Sequence, residues 1–178
     1  FICPLSCLFV PIKENAFMNC SKLESLVLPN SISVIQNDAF NGCSNLTDIN
    51  IPINIEEIHS RAFADCVSIE GQLILPSTLE VLGGESFSNV TASVVFDEDS
   101  IITCINTAFR NYKGQLLIIP SSVVSIESLA FKDTAADIIY EQGSLIEEIK
   151  NRAFEGYLGT NVVLPNTITS IGDMAFKE

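Results

Sequence analysis

Short apolar bursts punctuate the whole chain: LVLP, INIP, LILP, LIIP and VVLP recur, closed by Pro29, Pro52, Pro76, Pro120 and Pro165. Alternation of apolar and polar positions predicts a half-buried β-strand, and proline, which has no N–H to give to a ladder, ends it. Taking Leu26 and Leu28 as inward turns Ser25 and Val27 outward. The runs SVVF and DIIY keep the apolar stretch but exchange the proline turn for a longer acidic or glycine-containing loop. A second period follows each burst. Ile35, Ala39 and Cys43 stand four residues apart, which predicts one face of a short helical turn with Phe40 beside it. Gly42 and Gly156 are placed to stop such turns.

The two periods recur together. A Phe preceded by a small residue falls at Phe17, Phe40, Phe63, Phe87, Phe109, Phe131, Phe154 and Phe176, at spacings of 23, 23, 24, 22, 22, 23 and 22. Five residues before it stand Ile12, Ile35, Ile58, Leu82, Ile126, Ile149 and Ile171. The fifth copy has Cys104 at that place, with Ile105 next to it, and Cys104 reads as a core substitute for Ile. One such unit cannot bury its apolar face alone; stacking lays the strands about 4.8 Å apart in a parallel sheet. The fold class is therefore an α/β repeat solenoid, a leucine-rich-repeat coil with one short parallel strand and one short helical turn per unit. It forms a single array over residues 1–178, of seven to eight repeats with the first and last incomplete. Residues 1–17 fit the back half of a repeat, with Phe9 aligned to Ile32, and the chain ends two residues past a column Phe. This reads as a segment of a longer array, and uncapped ends predict end-to-end self-association. A damaged signal peptide at FICPLSCLFVP is the other reading of the start.

The unit Cys-x-x-Leu-x-x-Ile-x-Ile-Pro followed by Ala-Phe, as in GCSNLTDINIPINIEEIHSRAF (residues 42–63), resembles the BspA-type leucine-rich repeats. The resemblance covers essentially the whole chain and implies a right-handed coil. It also implies a surface-exposed or secreted, adhesin-like protein that binds host or matrix proteins or neighbouring cells. Surface proteins of this family and intracellular relatives could share these columns, so a cytoplasmic home stays open.

Charge narrows the partners. Twenty-two acids against 9 bases give a net charge of −13. That field repels phosphate backbones and anionic lipid, which argues against nucleic acid and membrane surfaces and favours cationic partners. No apolar run approaches the roughly 20 residues of a membrane span.

Little in the chain suggests chemistry. Cys20, Cys43 and Cys66 each stand three residues after the column Phe, where later copies hold Val90, Tyr112, Thr134 and Tyr157. Tetrahedral zinc needs four converging ligands, and a disulfide would leave one of the three cysteines over, so a small buried hydrophobe is the preferred reading. Cys3 and Cys7 have no assignment, and the redox compartment is open. His59 is the sole histidine and reads as a solvated loop residue, without the partners of a nucleophilic triad. LGGES at 82–86 lacks the Lys of a phosphate-binding loop. Glu56-Glu57 and Glu147-Glu148 read as solvated faces. The run Asp97-Glu98-Asp99 carries carboxylates but not the spaced ligands of a calcium loop. No enzyme activity, cofactor or metal is expected. Sequons at Asn19, Asn45 and Asn89 matter only in a secreted eukaryotic chain.

The open face of the sheet is the surface left for function. Its central stripe, from strand alternation, is Val27, Asn50, Ile74, Val95, Ile118, Ile139 and Val163. Beside it run Ser25, Asp48, Gln72, Ser93, Leu116, Asp137 and Asn161. Such β-branched residues suit any pleated surface. They also make an apolar strip with an acidic border, the look of a protein-binding face. The expectation is a non-enzymatic protein-binding or adhesion module, with Asp48, Gln72 and Asp137 as polar neighbours of the strip. The alternative is a spacer array that projects another domain and has no ligand of its own.

Overall fold

The structure, a computed structural model, describes residues 10–178. The readings on Cys3, Cys7 and Phe9 lie outside the described residues. Each coil carries two short parallel strands where the sequence suggested one. The first series is Ser25–Leu26, Asp48–Ile49, Gln72–Leu75, Ser93–Phe96, Leu116–Ile119, Asp137–Tyr140 and Val162–Val163. These are the apolar bursts, with Leu73, Leu75, Leu117, Ile119 and Ile138 buried as the alternation requires. The second series holds the isoleucine column: Val10–Ile12, Ile32–Ile35, Glu57–Ile58, Val81–Leu82, Cys104–Ile105, Ser125–Ile126, Glu148–Ile149 and Ser170–Ile171. Column residues pair in parallel with their counterparts, Ile12 with Ile35, Ile35 with Ile58 and Ile58 with Leu82.

The Ala-Phe segment closes the coil, but not as a helical turn. Around Phe40, the amides of Ala39, Asn41 and Cys43 bond within the segment, three residues back, to Gln36, Asp38 and Phe40. The intervening amides of Asp38, Phe40 and Gly42 reach instead to Ser60, Ala62 and Ala64 of the next coil. A helix would spend every amide internally; here every second one ties two coils together. Left-handed residues two before and two after the Phe make this possible, Asp38 at φ 54° and Gly42 at φ 75°. The pattern recurs at Arg61 and Asp65, at Glu85 and Asn89, and at Arg152 and Gly156. The spacing of Ile35, Ala39 and Cys43 thus imitates a helix while joining a strand end to two successive turns. Helix among the described residues is confined to one 3-10 turn, Thr107–Phe109.

That turn marks the irregular coil. Ile105, not Cys104, is fully buried and pairs with Ile126, so the expectation for Cys104 is corrected: it is exposed beside Ser125. Ile105 lies only four residues before Phe109. The missing residue tightens the turn to 3-10, capped by the Asn106 side chain accepting from the Ala108 amide at 2.9 Å.

All three segments of a coil send side chains into one core. Its axis is the Phe column. Phe17, Phe40, Phe63, Phe87 and Phe109 stack with centroids 5.1, 5.3, 5.8 and 5.7 Å apart, and Phe131, Phe154 and Phe176 continue at 4.9 and 4.7 Å. Each such ring pair contributes about 0.5–1.5 kcal/mol beyond its burial.

Candidate binding face

The first strand series has one face in the core and one open. Val27, Ile74, Ile118, Ile139 and Val163 are all exposed there, and Val95 is partly so. Gln72 pairs with Ser93 and Ile74 with Val95, while Leu116 pairs with Asp137 and Ile118 with Ile139. The alternation therefore placed the stripe and its neighbours on one surface. Not every member is free to meet a partner. The Asn50 side chain folds back on the previous coil, where its Oδ1 accepts from the Leu28 amide at 2.7 Å and its Nδ2 donates to the Leu28 carbonyl at 3.0 Å. Asn50 bonds both backbone groups of Leu28, two residues past the end of the Ser25–Leu26 strand. Asp48 accepts from the Ser25 hydroxyl at 3.3 Å and stays exposed. Asp137 accepts from the Asn161 side-chain amide and from the backbone amides of Asn161 and Thr160, which hold its carboxyl down to about 2.

The strand series falls into three sheets, parting between Asp48–Ile49 and Gln72–Leu75 and again between Ser93–Phe96 and Leu116–Ile119, breaks that the repeat pattern did not predict. Tyr112 sits at the start of the second gap. Its hydroxyl accepts from the Val94 amide at 2.8 Å and donates to the Ala92 carbonyl at 2.7 Å, taking the place of a strand-to-strand rung. Burial pushes that hydroxyl up to about 12, so it keeps its proton. In the later copy Tyr157 donates to the Ala136 carbonyl, but the Ile138 amide still reaches Asn161 of the next strand. The signal was in the sequence as Tyr-x-Gly. A Cβ on Gly114 would collide with the Tyr112 hydroxyl, and one on Gly159 with that of Tyr157. At the gap a cleft of about 260 Å³ opens among Gln72, Val95, Phe96, Leu116, Ile118 and Glu141.

The remaining candidates are ordinary. Two of the three column cysteines are buried as expected: the Cys43 and Cys66 thiols donate to the carbonyls of Phe17 at 3.0 Å and Phe40 at 3.1 Å, and Thr134 does the same to Phe109. Cys20 departs from the buried reading and is exposed in the first described coil. All four described cysteines are free. The nearby Cys43 sulfur, together with burial, pushes the Cys66 thiol up. His59 is half-buried rather than solvated, its Nε2 2.6 Å from Glu57. Among the described residues no cluster of three or more metal-ligating side chains occurs, and no helix is long and apolar enough to cross a membrane.

Stacked two-strand coils with a Phe axis and a Cys–carbonyl column coincide with a known repeat. The pattern of the "BspA type Leucine rich repeat region" matches residues 10–136 and 71–178, with 6 copies. The chain belongs to the BspA-type leucine-rich repeat family. Among solved structures it is similar to the leucine-rich repeat protein of T. pallidum, at 26% identity and a TM-score of 0.56 over 93% of this chain and 66% of that one. It shares its fold with a leucine-rich cell surface protein of Faecalibacterium prausnitzii, at 22% identity and TM-score 0.63 over 94% of this chain and 57% of that one. The pneumococcal vaccine antigen PcpA has the same fold, at 22% identity and TM-score 0.67 over 94% and 53%. The chain thus spans between about half and two thirds of these structures. Among curated proteins no sequence matches it. Leucine-rich-repeat solenoids of this kind are generally protein-interaction folds and typically not enzymes.

Proposed function

We propose that the chain is a non-enzymatic interaction module, at a cell surface or outside the cell, and that its open sheet face binds a protein. One observation carries this reading. Ile74, Ile118 and Val163 leave 55%, 43% and 57% of their surface in water on a single face. A continuous exposed apolar patch is a liability that soluble proteins keep small unless it is used. The F. prausnitzii and pneumococcal proteins are described as a cell surface protein and a vaccine antigen, which supports the location. The Asn50–Leu28 bracket favours a second reading for the first coils, where the face serves stacking and the array acts as a spacer.

The test is a triple variant, Ile74→Thr, Val95→Thr and Ile118→Thr, which keeps β-branching and removes apolar surface. Circular dichroism first confirms that both chains fold. Both are then used to capture partners from extracellular-matrix and cell-surface protein mixtures. Retention of a partner by the native chain alone supports the reading, and equal retention by both overturns it.

A further inference from the structure

We infer that the cleft at the sheet break is an anchoring pocket for an apolar side chain carried on a Lys- or Arg-rich, extended segment of a partner protein. This inference rests on the open-face reading and names the chemistry of what binds there.

The charge on the face is one-sided. Its outward strand positions, continued one residue past two strands, carry Asp48, Asp97, Asp137 and Glu141, and no Lys or Arg. Of the nine bases, five stand in ion pairs away from these positions. Arg61 pairs with Asp38, Arg110 with Glu85, Lys132 and Arg152 with Glu155, and Lys150 with Glu127. With no base among those outward positions, the carboxylates there keep a negative field that attracts cations to the strip.

The cleft supplies the apolar half. Val95, Leu116 and Ile118 form its walls, with the Gln72 amide and the Glu141 carboxylate at its rim. One Glu141 oxygen accepts the Ser121 amide at 2.9 Å, which fixes the carboxylate in place. At about 260 Å³ the cleft is sized for a side chain, below the range of most small-molecule sites. Exposed apolar residues continue on both sides, with Ile74 before the gap and Ile139 and Val163 beyond it. A ligand using all of them must be long, and an extended polypeptide with alternating apolar and basic residues fits both the strip and its charge.

The test uses three labelled peptides and fluorescence anisotropy with the full chain: alternating Lys–Ile, alternating Lys–Ser and alternating Glu–Ile. The Lys–Ile peptide is expected to bind, and the other two at least about tenfold more weakly. Gln72→Lys, at an exposed rim position, is expected to weaken Lys–Ile binding about threefold or more, and Gln72→Glu to strengthen it. Raising salt from about 0.05 to 0.5 M is expected to weaken it further. If Glu–Ile binds as well as Lys–Ile, and the triple Thr variant loses both, the cationic assignment is overturned while the open-face reading survives. If Lys–Ile binding does not change in the triple Thr variant, or no peptide binds, the anchoring pocket itself is overturned.

Discussion

The Tyr112 hydroxyl stands 2.8 Å from the Val94 amide, on the side where the next strand would otherwise pair. A side chain from the turn of one coil thereby occupies the backbone of the coil before it, and the open sheet parts at that point. Both groups are buried. Tyr112→Phe is expected to strand the Val94 amide and the Ala92 carbonyl and to cost about 1–3 kcal/mol. Gly114→Ala is expected to cost a similar amount by displacing the ring, since its Cβ would fall on the hydroxyl. Urea denaturation of each variant measures both.

The turn glycines separate two costs. Gly71 has φ 71° and open space around it, whereas Gly42 has φ 75° and the Asn19 Oδ1 where a Cβ would go. Gly71→Ala is expected to lose only the left-handed penalty, about 1 kcal/mol. Gly42→Ala is expected to lose a little more, because the exposed Asn19 side chain must also swing aside. Equal losses by denaturation would remove the steric part of this account.

Columns that repeat in one chemical class, such as Phe40, Phe63 and Phe87, were legible in the sequence because burial selects size and polarity. The outward set from Ile74 to Val163 followed from strand alternation in the same way. The second strand series was not legible. Glu57–Ile58 and Val81–Leu82 are two residues long, too short for alternation to show, and their order comes from pairing with neighbouring coils. The helical reading failed because left-handed residues such as Arg61 and Glu85 carry no sequence signature of their conformation. The cleft hung on Tyr112 and Gly114, a pair whose meaning depends on reaching another coil.

Cysteine labelling should follow burial. Cys20 and Cys104 are exposed, and Cys43 and Cys66 are fully buried. Desolvation and the neighbouring Glu127 carboxylate raise the Cys104 thiol, which lowers its thiolate fraction. With iodoacetamide and peptide mass mapping, Cys20 is expected to label first and Cys104 more slowly. Cys43 and Cys66 are expected to label only on unfolding. Early labelling of Cys66 would contradict its place in the column.

Asp137 sets an acid limb. Hydrogen bonds from Asn161 and Thr160 hold its folded carboxyl near 2, below the ordinary 3.8. Its contribution is therefore complete above the unfolded value and is lost as pH falls through the folded one. Asp137→Asn is expected to flatten the fall in stability between about pH 4 and pH 2, and a carboxyl titration by NMR should place its midpoint near 2.

The central claim is that the partner meets the open face rather than the second strand series. Its most direct measurement is the dissociation constant for a partner captured by the native chain, read by interferometry against two variants. One carries Ile74→Thr, Val95→Thr and Ile118→Thr; the other carries Val81→Thr and Val124→Thr, exposed in and beside the second series. The account predicts at least about tenfold weaker binding for the first, because two or more apolar side chains would vanish from the buried interface, and unchanged binding for the second. Equal affinity for both, or weaker binding only in the second, would contradict it.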